Sequence, residues 1–234
     1  MKSKKLIILL VIFFLILIYY YYIYDDCHPL DTSYINKDPL KCCILLTMYI
    51  GGNDKKRKIY LHRINRWLNE TSFDIYTVES SGELLNINHP RLKQFTFLQG
   101  DKHKGNSTIL ERNSILKAYN YFQNDFKKYD IIFKITAKYF IPSLESLIKH
   151  IKPDTELLVQ NIHKNILNII NVQNTEITGY RTNIIYDITS GINNTNSYEF
   201  QIAEIKNKYK TYRLPHLKLE DFTERAHGDI LTYL

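Results

Sequence analysis

The stretch KCCILLTMYIGG, residues 41–52, constrains the fold more than any other part of this chain. Its apolar run has almost no polar alternation, and the pair Gly51 and Gly52 ends it. A strand that alternates apolar and polar residues buries one face, whereas a strand that is apolar throughout must be covered on both. The second case is the environment of a central strand in a parallel sheet with helices above and below. A basic segment at 55–68 follows, with Ile59, Leu61, Ile64, Trp67 and Leu68 spaced to make one inner helical face.

The same alternation continues along the chain. FDIYTVESSG (73–82) reads as a second strand that runs into a Ser/Gly loop, and RLKQFTFL (91–98) as a third. A helix is expected over 108–123, then a strand in YDIIFKITAKYF (129–140), then a helix over 143–151 after Pro142. ELLVQNI (156–162) and NILNIINVQ (165–173) read as strands of a hairpin, FQIAEIKNKYK (200–210) as a helix and TYRLPHLKL (211–219) as a strand. Strands alternating with helices define an α/β fold with a Rossmann-like, mostly parallel sheet.

In such sheets ligands bind beyond the carboxyl ends of the strands. Lys134, Thr136 and Lys138 stand where the run Ile131–Ile132–Phe133 leaves the core. Period-two alternation puts these three on one side, and Ile135, Ala137 and Tyr139 on the other. Cations at that rim suit a phosphate-bearing substrate.

The amino terminus carries a different signal. Lys2, Lys4 and Lys5 precede an apolar and aromatic run from Leu6 to Tyr24, and Asp25 and Asp26 follow it. As a helix this run extends about 28 Å, close to the hydrocarbon thickness of a bilayer. The charge asymmetry places the amino terminus in the cytosol and the remainder across the membrane. The reading is a signal-anchor over 1–24, a stem over 25–40 and one domain over 41–234, as in a single-pass type II membrane protein. That topology points to the Golgi or ER lumen, or to a host secretory membrane if the protein is viral. A cleaved signal peptide is the rival, but bulky Tyr and Ile occupy the place of small cleavage-site residues. Sequons begin at Asn69, Asn106 and Asn193. The three cysteines, Cys27, Cys42 and Cys43, have no metal-ligand spacing; a disulfide through Cys27 and unpaired thiols both fit.

The formal charge of +7 comes without a long basic run, so composition does not single out nucleic acid as a partner. There is no P-loop and no Gly-x-Ser-x-Gly, and the histidines lack ligand spacing.

Four stretches in order resemble a family of small glycosyltransferases with the GT-A nucleotide-sugar-binding fold. KGNSTILERNSI (104–115) resembles its glycine-led helix with an acidic residue, and FKITAKYFI (133–141) its strand with a Lys-x-Thr-Gly-Lys/Arg-Tyr motif. QNTEITGY (173–180) resembles a later glutamate element, and ERAHGDI (224–230) a terminal Arg-x-x-Gly element. Ala137 stands where the family has glycine.

The resemblance implies transfer of a sugar from a nucleotide-sugar donor to a glycan or lipid-linked acceptor. It implies donor contacts from Thr47, Tyr49 and Gly51, from Glu79 and Ser80, from Glu111 and Arg112, from Thr136 and Tyr139, and from Arg225 and His227. Lys134 and Lys138 are expected to offset the charge of the leaving diphosphate, and Glu176 to serve as the general base of an inverting reaction. Many relatives hold Mn2+ or Mg2+ with Asp-x-Asp, and this chain has no such motif; transfer with either ion and metal-independent transfer both stay open.

Each assignment has a plainer counterpart. Thr108-x-x-Glu111 is a capping box in its own right. Gly51-Gly52 serves as a turn, Glu176 as a loop carboxylate, and the two lysines as solvated strand ends. The alternative function is an inactive type II membrane protein that binds glycans or organises partners. The domain is small for this fold, so homodimerisation is a further expectation.

Overall fold

The computed structural model describes residues 9–17, 33–99, 107–160, 162–164, 171–173, 175–189, 198–215, 217–224 and 230–233. A seven-stranded sheet has the order β3-β2-β1-β4-β8-β5-β9. Its strands are β1 (Cys42–Met48), β2 (Asp74–Glu79), β3 (Leu92–Thr96), β4 (Ile131–Thr136), β5 (Leu157–Val159), β8 (Ile177–Tyr180) and β9 (Thr211–Arg213). β1, β2, β3 and β4 are parallel, and the apolar run of β1 places it between β2 and β4. β8 runs antiparallel to both β4 and β5, so the sheet is mixed.

Two hairpins lie outside it: β6 (Ile162–Lys164) with β7 (Asn171–Gln173), and β10 (Lys218–Glu224) with β11 (Ile230–Tyr233). The expected hairpin over 156–173 is thus divided. Its first strand, β5, joins the main sheet, and the pairing is made by β6 and β7.

Helices α1 (Asp54–Glu70) and α3 (Leu144–Ile148) cover one face; α2 (Ser107–Phe126), α4 (Ile185–Thr189) and α5 (Tyr198–Ile205) cover the other. On the first face Trp67, Ile64 and Leu147 pack against Ile44, Leu46 and Phe133. On the second Ile115, Phe122, Phe126 and Ile202 pack against Cys43, Leu45, Tyr76 and Ile132. Alternate residues of each strand therefore feed two separate cores.

Asn53 caps α1 by accepting from the Lys56 amide at 3.1 Å. Gly51 and Gly52, with φ of +59° and +70°, turn the chain from β1 into that cap.

Residues 33–40, the described part of the expected stem, lie against the domain rather than apart from it. The Asn36 amide donates to the Lys149 carbonyl at 2.7 Å, and His150 Nδ1 lies 2.8 Å from the Tyr34 carbonyl.

Residues 9–17 form a helix of nine apolar residues, Leu9 to Leu17, all exposed. Among the described residues no helix is long and apolar enough to cross a membrane; the rest of the 6–24 run and Cys27 lie outside them. The expected sequons at Asn106 and Asn193 also fall on residues that are not described, whereas Asn69 is exposed near the end of α1.

Candidate active site at the strand switch point

The chain builds β1, β2 and β3 outward in one direction, then returns to lay β4 on the other side of β1. The carboxyl ends of β1 and β4 are therefore the point where strand order reverses, and loops that leave such a point diverge and open a crevice. Thr47 and Thr136 are register partners there.

Both threonines turn toward α2. Thr47 Oγ1 donates to Glu111 Oε1 at 3.1 Å, and Thr136 Oγ1 to the same oxygen at 3.5 Å. Lys134 Nζ lies 2.5 Å from it as well. Lys134 and Thr136 share a strand face, as period two requires, and that face lies under the first turns of α2. The side chain of Thr108, the other half of the expected capping box, lies outside the described residues. The helix begins at Ser107, and the Glu111 carboxylate is spent on the sheet, not on the helix start.

Lys134 is fully buried. Its ammonium donates to the Thr175 carbonyl at 2.5 Å and lies 5.3 Å from the Tyr198 ring centroid. An ammonium in that position is held by a carboxylate, a carbonyl and an aromatic face, the three partners that offset its desolvation. It is not presented to the rim, so the expected direct contact between Lys134 and a diphosphate is not the arrangement found. Burial keeps the Tyr198 hydroxyl well above the usual tyrosine range, and that hydroxyl pairs with Thr178 Oγ1 at 2.8 Å. Neither Thr175 nor Tyr198 carries a sequence signal, because each acts through position alone.

Lys138 departs from the strand pattern. β4 ends at Thr136, and Ala137 and Lys138 form a turn, so Lys138 is half-buried and its Nζ sits 5.0 Å from the Tyr139 ring. The Ala137 amide donates to the Thr47 carbonyl at 2.9 Å, tying the turn to β1. Ala137 itself is completely enclosed.

Tyr139 is a core residue, not a donor contact: its side chain is fully buried, and its carbonyl accepts from Trp67 Nε1 at 3.1 Å. Arg112 is likewise buried, at 4% exposure, on the inward side of α2.

Glu79 and Ser80 also turn inward. The Glu79 carboxylate is buried and accepts four hydrogen bonds: from the Ile50 amide at 2.9 Å, the Ser81 hydroxyl at 2.6 Å, the Ser81 amide at 2.9 Å and the Glu83 amide at 2.8 Å. Ser80 Oγ donates to the Met48 carbonyl at 3.2 Å. The expected ribose contact gives way to a brace that joins the loops after β1 and β2.

Glu83 extends that brace. It accepts from the Gly52 amide at 2.6 Å and pairs with Arg57, while Ser81 Oγ accepts from the Gly51 amide at 2.9 Å. Tyr49, by contrast, is half exposed at the rim, with Lys56 Nζ 5.3 Å from its ring.

Glu176 enters the same rim from the far side. β8 is antiparallel to β4, so the residues before it reach the carboxyl end of β4, and the Thr136 amide donates to the Glu176 carbonyl at 2.9 Å. Its side chain is partly exposed. Arg225 and His227 lie outside the described residues. The switch point thus brings together Thr47, Glu111, Lys134, Thr136 and the backbone of Glu176.

A separate cavity of about 680 Å3 opens at the opposite, amino-terminal ends of β1 and β2, lined by Lys41, Cys42, Asp74, Tyr129, Glu145 and Lys149 among others. It shares no residue with the switch point. Among the described residues no group of three or more His, Cys, Asp or Glu is placed to hold a metal ion.

No protein-family model matches the chain, and no curated protein matches it. Solved structures do show similarity. A protein from Desulfovibrio desulfuricans described as a nucleotide-diphospho-sugar transferase aligns at 13% identity over 74% of this chain and 79% of its own, with a TM-score of 0.45. A glycosyltransferase involved in glycosylation of the major capsid of PBCV-1 aligns at 11% identity over 74% and 81%, with a TM-score of 0.46. A mannosyltransferase from Pyrobaculum calidifontis, in complex with GDP-mannose and Mn2+, aligns at 10% identity over 85% of this chain and 62% of its own, with a TM-score of 0.49.

Proposed function

We propose that this chain is a membrane-anchored glycosyltransferase that moves a sugar from a nucleotide-sugar donor to a glycan or lipid-linked acceptor. The observation that carries the reading is the polar cluster at the switch point. Thr47, Lys134 and Thr136 converge on one Glu111 oxygen between β1 and β4, where an α/β sheet receives its ligand. The order of motifs along the chain supports the same activity. The helix of nine exposed apolar residues at Leu9–Leu17 supports an anchor, because a soluble surface rarely leaves so much apolar area uncovered.

In this reading the nucleotide lies over the ends of β1 and β2, beside Tyr49 and the Gly51 turn. Glu79 and Ser80 act by bracing that turn. Lys138, with Arg225 and His227, meets the charge of the leaving diphosphate, and Glu176 takes the acceptor proton. The sequence carries no Asp-x-Asp, and this reading assigns the charge to side-chain cations.

Thermal shift against UDP-, GDP- and CMP-sugars, with Mn2+ or with EDTA, tests this. One donor class should raise the midpoint as RT ln(1 + [L]/Kd) requires, and Lys138→Ala should lower donor turnover. Absence of a shift with every donor in either condition rejects the transferase. A second reading, a glycan-binding module without turnover, is favoured by the enclosure of the Lys134 ammonium; it is supported if glycans shift the midpoint and donors do not.

A further inference from the structure

We propose that Lys134 is a positioning residue and that Glu111 is the group that recognises a hydroxyl of the transferred sugar. This rests on the transferase reading. The hydrogen bonds and the ion pair that Glu111 makes with described residues fall on Oε1: Thr47 at 3.1 Å, Thr136 at 3.5 Å and Lys134 at 2.5 Å. Oε2 accepts from no described residue, and the side chain keeps 19% of its exposure. A carboxylate has lone pairs for about four donors. Three donors on one oxygen, anchored in two neighbouring strands, fix the plane of the group and leave the other oxygen as an oriented acceptor.

The buried ion pair is a poor device for stability alone. Taking two charges out of water offsets most of their attraction, and a well-packed apolar pair often holds a core as well. What an apolar pair lacks is a carboxylate held in one orientation beside a ligand crevice. A sugar hydroxyl is the neutral donor suited to such an oxygen, since a phosphate would be repelled. Lys134 also binds the Thr175 carbonyl, and Thr136 N–H binds the Glu176 carbonyl. The same strand therefore sets the spacing between Glu111 and the segment that carries Glu176.

The test is a cycle between the residue and the substrate hydroxyl. The full-length protein is titrated with the nucleotide-sugar that stabilises it, with the bare nucleoside diphosphate, and with monodeoxy analogues of that sugar donor. In the unaltered protein one monodeoxy position should weaken binding on the order of tenfold to a hundredfold, as loss of a charge-assisted hydrogen bond does. In Glu111→Gln the parent donor should fall by a similar factor, the bare diphosphate should bind as before, and that analogue should no longer differ from the parent. Thr47→Val, which leaves the ion pair intact, should reduce the same discrimination severalfold.

If Glu111→Gln still separates parent from analogue at every position as the unaltered protein does, the inference is wrong and the transferase reading survives. If no nucleotide-sugar binds the unaltered protein, the transferase reading fails and the inference with it.

Discussion

Lys134 Nζ, in the centre of the sheet, lies 2.5 Å from Glu111 Oε1 on the helix above it. Lys134 has no exposed surface and Glu111 keeps a little. The two partners are therefore unequal: water can reach the carboxylate, but nothing except protein can offset the ammonium.

That inequality predicts an asymmetric response. Glu111→Leu strands the buried ammonium and should destabilise the fold by about 3–5 kcal/mol, while Glu111→Leu with Lys134→Met should recover most of the loss. Urea unfolding followed by the fluorescence of Trp67, the single tryptophan and fully buried, measures both. A loss below about 1 kcal/mol for Glu111→Leu would mean that water reaches Lys134 after all.

Glu79 should govern the loops at the rim. Its carboxylate satisfies three amides and a hydroxyl, so Glu79→Gln leaves at least one buried donor facing an amide NH2, at a cost of about 1–3 kcal/mol. The freed turn should be cut faster by trypsin at Lys55 and Lys56 than in the unaltered protein. Unchanged cleavage at those two positions would contradict the bracing role.

A side chain at Gly179 should force its neighbours to shift. A Cβ there would lie 2.8 Å from Leu158 Cδ1 and 3.1 Å from Phe133 Cε1, both in the core. Gly179→Ala should cost about 1–3 kcal/mol by overpacking, and Leu158→Ala should suppress that extra cost in the double variant. Additive losses in chemical denaturation would count against direct contact.

The cysteines should make the protein sensitive to alkali. Burial, then Asp130, pushes the Cys42 thiol from 9.0 up to about 12, and burial also raises Cys43. A raised pKa means that the neutral thiol contributes its full stability below 9.0 and loses it as pH rises toward about 12. The thermal midpoint should fall across that window, less so in Cys42→Val. At about pH 8 native protein should resist iodoacetamide at both positions, since the thiolate is the reactive form. Rapid labelling of Cys42 in the folded protein would refute this.

Much of the framework is legible in the residues. The runs Cys42–Leu46 and Ile131–Phe133 have no polar break, and strands that open in that way are covered on both faces and so lie inside a sheet. The helix after Gly51-Gly52 follows from its apolar spacing and its cap. β8 and α4 carried no such pattern: they are short, and their apolar residues meet partners distant in the chain. Tyr180 pairs with Ile132 and Leu157 on either side, which no local window reveals.

At the site, chain order alone determined which chemistry reached the rim: threonines and a lysine at strand ends, a glutamate near a helix start, a glutamate before a later strand. Direction was decided by tertiary structure. Lys134 and Lys138 look equivalent in sequence, yet one ends inside an ion pair and the other in a turn, because β4 stops between them. Glu79 looks like a ligand group and becomes a brace, and Tyr139 looks like a rim residue and becomes core. A sequence states what a side chain can donate, accept or neutralise. Which of these it does depends on the neighbours that folding brings within about 3 Å, the range over which hydrogen bonds act.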